Sequence, residues 1–289
     1  MKFGVSSYSF SKYIAATGCD YKTICDKAKQ IGFDGIEFIP LEHERFNITK
    51  DPIACAKEIR AHCEKIGLEI VAYTVGGNLT TAEDREAEVR RLMGCVDVCA
   101  ELGAKTMRHD VGFALPKDPL YGWQRAIKDI APYIRRVTEY AASRGIRTCV
   151  ENHGHIFQAP ERVEALIREV NHPNYGWLVD IGNFLCADVD PKHAVSIAAP
   201  YAFHVHAKDF LFKDGQSAFC PTGFFGTAGG NFLRGTVIGH GIVPVASCVR
   251  ILKKHGYSGW LSLEFEGAEV VEYALENGLD SLKKIDAIT

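Results

Sequence analysis

Residues 144–154 read Arg-Gly-Ile-Arg-Thr-Cys-Val-Glu-Asn-His-Gly. Gly145 suits the left-handed position that ends a helix, the run Arg147 to Val150 is β-prone, and Glu151 closes it with a charge. The same junction recurs at Ile31-Gly32-Phe33, Ile66-Gly67-Leu68, Leu102-Gly103-Ala104 and His255-Gly256-Tyr257, leading into GIEFI, EIVAY, KTMRH and WLSLE. A repeated order of helix, glycine and short strand predicts alternating β and α units.

The segments between these strands carry helical stripes. Val89, Leu92, Met93, Val96 and Cys99 recur at helical spacing, and Val163, Leu166, Ile167 and Val170 do the same behind Pro160, a residue suited to a first helical position. FGVSSY opens the chain as a further strand, YGWLVD precedes a helix at 190–199, and AFHVHA precedes one near 244–255. Apolar strands separated by helices require a parallel sheet covered on its outer face. Eight strands with eight helices predict a single (β/α)8 TIM barrel over residues 1–289. A doubly wound open sheet is the alternative, but SSYSFSKY after the first strand is not a glycine-rich phosphate turn. The connection from Phe210 to Ile242 lacks periodicity and holds eight glycines with Phe219, Phe224, Phe225 and Phe232. A long glycine-rich loop after strand seven, at the face where barrel active sites lie, reads as a lid over substrate, or else as an oligomer contact.

Composition narrows the partners. Of 289 residues 47% are hydrophobic and 24% charged, and 33 Lys and Arg against 36 Asp and Glu leave a net charge of -3. No basic field is available for nucleic acid or an anionic membrane. No apolar run is long enough to span a bilayer, and MKFGVSSYSF lacks the regions of a signal peptide, so the expected location is cytoplasmic. Ten cysteines without a C-x-x-C pair build neither a zinc ribbon nor a redox dithiol and read as small buried hydrophobes, Cys95 and Cys99 sharing a helix face. The sequons at Asn47 and Asn78 have no meaning without secretion.

In a barrel the reactive groups project from the C-terminal strand ends. Four consecutive ends carry ionisable groups behind apolar residues: Val150-Glu151-Asn152-His153, Val179-Asp180-Ile181-Gly182, His204-Val205-His206-Ala207 and Leu263-Glu264-Phe265-Glu266. Burying such charges is costly unless a common partner compensates them. Three carboxylates and an imidazole suit one divalent ion, Mn²⁺ first, with Co²⁺, Mg²⁺ or Zn²⁺ as alternatives. His204 and His206 share a face, and His206 lies nearer the mouth and is the better ligand. Glu264 directly ends its apolar run, which leaves Glu266 for a supporting or loop position.

VENHG (150–154), LVDIGN (178–183), HVHAKD (204–209) and LSLEFEG (261–267), together with FGVSSYSF and IGFDGIEF, resemble the xylose isomerase-like barrels of the sugar phosphate isomerase/epimerase superfamily. The resemblance covers nearly the whole chain. It implies that Glu151, Asp180, His206 and Glu264 are metal ligands, as in ketose 3-epimerases, with Glu151 and Glu264 also the catalytic acid/base pair. Two departures stand out. Asn183 occupies the place of a histidine three residues after the metal-binding Asp, and Lys208-Asp209-Phe210 replace the Glu and Arg that follow the ligand His. The run H-x-H-x-K-D looks more like the inosose dehydratase branch.

The chemistry such a site supports is proton transfer. A divalent ion polarises a carbonyl and its neighbouring hydroxyl, while one glutamate removes the α-proton and the other returns it on the opposite face. His109, His153, Asn183, His204 and Lys208 are candidates for substrate binding, although KTMRHD leaves open whether His109 or Arg108 faces inward. The expected substrate is a small ketose, keto-polyol or keto-glycoside without phosphate, since no phosphate loop or clear phosphate clamp is present. Dehydration of a keto-polyol is the alternative outcome. An endonuclease IV-like phosphodiesterase would need further His and Asp ligands that are missing, and a non-catalytic sugar-binding barrel is disfavoured by the intact glutamates.

Overall fold

The structure, a computed structural model, describes residues 1–41, 51–216 and 219–289; Asn47 of the first sequon lies outside them. In chain order the elements are β1 (Lys2–Ser6), α1 (Ser11–Thr17), α2 (Tyr21–Ile31), β2 (Gly35–Phe38), α3 (Pro52–Ile66), β3 (Glu69–Val75), α4 (Arg85–Leu102), β4 (Thr106–His109) and α5 (Trp123–Ser143). They continue with β5 (Arg147–Glu151), α6 (Pro160–Val170), β6 (Tyr175–Asp180), α7 (Pro191–Ala198), β7 (Ala202–Ala207), β8 (Asp209–Lys213), β9 (Phe225–Gly226), β10 (Phe232–Thr236), α8 (Val245–Lys254), β11 (Trp260–Leu263) and α9 (Val271–Ile288).

Strands β1, β2, β3, β4, β5, β6, β7 and β11 pair in parallel around a closed barrel, with β11 sealing it against β1. All eight C-terminal ends therefore open at one mouth. The five junction glycines adopt the expected left-handed backbone, with φ from 67° at Gly67 to 103° at Gly32. At the other helix ends, Asp20, Asp51, Asp84 and Asp190 each accept a backbone N–H of the first turn and so satisfy a donor the helix leaves free. Val89, Leu92, Val96 and Cys99 of α4 and Val163, Leu166, Ile167 and Val170 of α6 are buried as the stripes require. None of the ten cysteines, all among the described residues, forms a disulfide, and Cys95 and Cys99 are both buried. No helix of the described residues is long and apolar enough to cross a membrane.

The segment 210–242, read from sequence as a long glycine-rich loop, carries regular structure among its described residues. It holds most of a three-stranded antiparallel sheet in the order β8-β10-β9, with Phe232 opposite Lys213 and Thr236 opposite Asp209. Glycines and short strands break the alternation that would have revealed it. Asp209 ties its two ends together by accepting from the backbone N–H of Phe210, Gly239, Gly241 and Val243. Asp188, left-handed at φ 55°, tethers the β9–β10 turn through Thr227 Oγ1 at 2.8 Å, Asn231 Nδ2 at 2.7 Å and the Gly229 N–H.

Candidate active site

Glu151, Asp180, His206 and Glu264 converge at the mouth, with one ligand atom of each lying within 4.8 Å of all the others. The His206 Nδ1 is the hub, 3.7 Å from Glu151 Oε1, 3.9 Å from Asp180 Oδ2 and 3.6 Å from Glu264 Oε2. All four are buried or nearly so, Glu264 being the most open at 11%.

The strand ends hold these groups in place. Asn152 braces the β6 terminus: its Oδ1 accepts from the Asp180 N–H and from Trp177 Nε1, and its Nδ2 donates to the Asp180 carbonyl. Asp180 Oδ1 accepts two N–H bonds, from Gly182 and Asn183, at the turn that follows. That leaves Asp180 Oδ2, like His206 Nδ1, buried with no hydrogen-bond partner among the described residues. Two such atoms aimed at the same point, among three carboxylates, fit a divalent ion.

Two cations flank the cluster. Arg108 Nε lies 3.0 Å from Glu151 Oε2, and its NH1 reaches Asp110 Oδ2 at 2.9 Å. Lys208 Nζ sits 2.7 Å from Glu264 Oε2, 3.3 Å from Asp180 Oδ2 and 3.5 Å from Glu266 Oε2. Asn183 links the two sides, donating through Nδ2 to Glu151 Oε1 at 3.1 Å and accepting from Lys208 at 3.2 Å. These neighbours divide the carboxylates. Burial alone would raise Glu151, but Arg108, His206 and His153 outweigh it and hold the carboxyl down to about 2. Glu264 is likewise held well below the usual range, Lys208 and His206 overcoming its burial. Asp180 goes the other way, pushed up to about 6 because burial and the nearby Glu264 and Glu151 exceed the pull of Lys208.

The supporting residues expected from sequence divide in the same manner. Asn183 and Lys208 lie inside the cluster, and His153 stands at its rim, 3.4 Å from Asp110 Oδ1 and edge-on to Phe113. His109 and His204 do not join them. Strand alternation turns Arg108 inward and His109 to the opposite face, where its Nδ1 lies 3.1 Å from the Asp110 carbonyl and its ring lies near Tyr175. His204 does face the barrel interior, but one layer lower. It lines a cavity of about 370 Å³ at the N-terminal strand ends together with Thr106, Arg147 and Trp260.

Sequence reasoning passed over Glu37. This carboxylate on β2 is fully buried, with Oε2 2.6 Å from His204 Nε2 and Oε1 2.7 Å from His206 Nε2, the latter approach being off the axis of a well-formed hydrogen bond. The signal is present in GIEFI, where a charge inside an apolar strand is as anomalous as at the ends of β5, β6, β7 and β11.

Residues 25–285 match the family described as xylose isomerase-like TIM barrel. Among curated relatives, inosose dehydratase of Bacillus licheniformis is 29% identical over 167 residues, 57% of this chain and 53% of that protein. The chain thus matches about half the length of this relative. Among solved structures, the probable 3-DHS dehydratase AsbF from Bacillus anthracis superposes with a TM-score of 0.76 at 19% identity, covering 98% of this chain and 99% of the other. The IolI protein with a bound zinc atom does so with a TM-score of 0.76 at 15% identity, covering 100% and 99%. At these identities the two structures are likenesses of fold.

Proposed function

From the premise that the chain belongs to the xylose isomerase-like TIM barrel family, we propose that it is a divalent-metal-dependent enzyme moving a proton on the carbon next to the carbonyl of an unphosphorylated ketose or keto-polyol, as a sugar isomerase or epimerase. The observation that carries this reading is the pair Glu151 and Glu264, set on β5 and just beyond β11 around His206 and each held by its own cation. Glu151, Asp180, His206 and Glu264 would hold the ion. When bound, that ion supplies a Lewis acid for the carbonyl and adjacent hydroxyl, and the oxygen-rich donor set favours Mn²⁺, with Co²⁺, Mg²⁺ and Zn²⁺ as competitors.

The chain's own groups do the proton work. Arg108 keeps Glu151 ionised and ready to accept the α-proton, and the Lys208 ammonium, 2.7 Å from Glu264 Oε2, supplies the proton that Glu264 returns on the opposite face. Asn183 and Lys208 orient substrate hydroxyls, and the Lys208 ammonium offsets negative charge developing on oxygen. His153 at the rim provides a further polar contact. A second reading, dehydration, is favoured by Lys208 itself, a buried ammonium among the carboxylates that could pass a proton to a departing β-hydroxyl, and by the similarity to an inosose dehydratase. In that case the hydroxyl leaves as water and the intermediate is not reprotonated.

The test is a screen of ketoses and keto-polyols with added Mn²⁺ in D₂O, followed by NMR. Deuterium entering the carbon next to the carbonyl without loss of mass identifies isomerisation or epimerisation, and a product lacking one water identifies dehydration. Glu151→Gln and Glu264→Gln should each lower turnover by at least about a hundredfold. Full turnover by both variants would place the proton chemistry elsewhere.

A further inference from the structure

The Glu37 carboxylate, fully buried on β2, lies between the imidazoles of His204 and His206. His206 has one nitrogen facing the cluster and the other facing Glu37, so whichever nitrogen carries the proton decides whether the ring can ligate. Glu37 offers an acceptor 2.7 Å from Nε2. Its second oxygen is fixed by His204 Nε2 at 2.6 Å, and all three side chains are sealed from solvent, none being more than 2% exposed.

These separations also decide against a second ion among the same three residues. Donors sharing a tetrahedral ion at about 2.0–2.1 Å stand about 3.4 Å apart, well beyond the 2.6 and 2.7 Å seen here. Contacts this short describe a hydrogen bond at His204 and an ion-pair approach at His206 rather than a shared ion. Building on the metal reading above, we infer that Glu37, held by His204, is a positioning residue that keeps the His206 proton on Nε2 and so presents the Nδ1 lone pair to the ion. Carboxylate partners of this kind both orient a ligating imidazole and strengthen it as a donor.

The arrangement makes Glu37→Gln informative. An amide fills the same space but replaces the charge between the two imidazoles with one acceptor and one donor group. One ring must then change its tautomer or lose its contact. The experiment measures Mn²⁺ affinity by calorimetry for the wild-type chain and Glu37→Gln, with ¹⁵N NMR of the histidine side chains to read the tautomer of His206. The expected result is one ion per wild-type chain, at least about tenfold weaker binding in the variant, and an altered His206 tautomer signature. His204→Gln, which removes the brace from the other side, should weaken binding in the same direction and serves if Glu37→Gln does not fold.

Unchanged affinity and an unchanged His206 signature in a folded variant would overturn the inference while leaving the metal reading intact. A wild-type chain that binds no ion would overturn both. Two ions per wild-type chain, one of them lost in His204→Gln, would turn Glu37, His204 and His206 into a metal site and refute the positioning role.

Discussion

Lys208→Met removes the ammonium that stands within 3.5 Å of Asp180, Glu264 and Glu266. The side chain is 6% exposed, so solvent does little to replace it. Breaking a buried ion pair by deleting one partner costs about 3–5 kcal/mol. The low end applies here, because Asp180, already pushed up to about 6, can take a proton and relieve part of the repulsion. For a chain of 289 residues the unfolding entropy is about 0.6 kcal/mol/K, so about 3 kcal/mol lowers the melting temperature by about 5 °C. A divalent ion supplies the missing positive charge to the same carboxylates. In metal-saturated protein the fall should therefore be less than half as large, and the difference must reappear as tighter metal binding in the variant, about tenfold for each 1.4 kcal/mol. Thermal unfolding of wild type and variant, in chelator and in saturating Mn²⁺, gives all four values. Equal falls under both conditions, or weaker metal binding by the variant, would refute the idea that Lys208 and the ion compensate the same charges.

Other consequences are open to simpler tests. Without metal, burial works against the charged His206 ring, but Glu37, Glu264 and Glu151 together raise it well above the ordinary histidine value. Since the ion needs a bare Nδ1, metal binding must displace a proton, and apparent affinity should fall by about tenfold for each unit the pH drops below neutrality; a flat profile in calorimetry would contradict the ligand set. Asp188→Ala cuts the tether between the β9–β10 turn and the segment that carries Asn183; if the excursion covers substrate, KM should rise severalfold with metal content unchanged, and an unaltered KM would leave the excursion without a role in the reaction. Asp209→Ala orphans four backbone N–H groups and should cost about 3 kcal/mol, read as a lower unfolding midpoint in urea.

The barrel was legible because its signals are local and repeated. A glycine that must be left-handed, a stripe at helical period and a short apolar strand recur often enough that one misread unit would not change the count. The four clustered residues Glu151, Asp180, His206 and Glu264 were legible for a related reason, since a charge at the end of a buried strand needs an explanation within the strand itself. What escaped depended on tertiary pairing. GIEFI offered Glu37 by the same rule, but its partners lie on β7, 167 residues away at His204. The pleat of KTMRHD is set by the closure of β4 against β3 and β5, which turns Arg108 toward Glu151. The β8–β10 sheet rests on antiparallel pairing across glycines, where neither period survives.

The most direct test of the account is elemental analysis of protein reconstituted with Mn²⁺ and then desalted, comparing wild type with Asp180→Ala plus His206→Ala. The account predicts close to one ion per wild-type chain and almost none in the double variant. Undiminished metal in the double variant, or three tightly held zinc ions per wild-type chain, would contradict it.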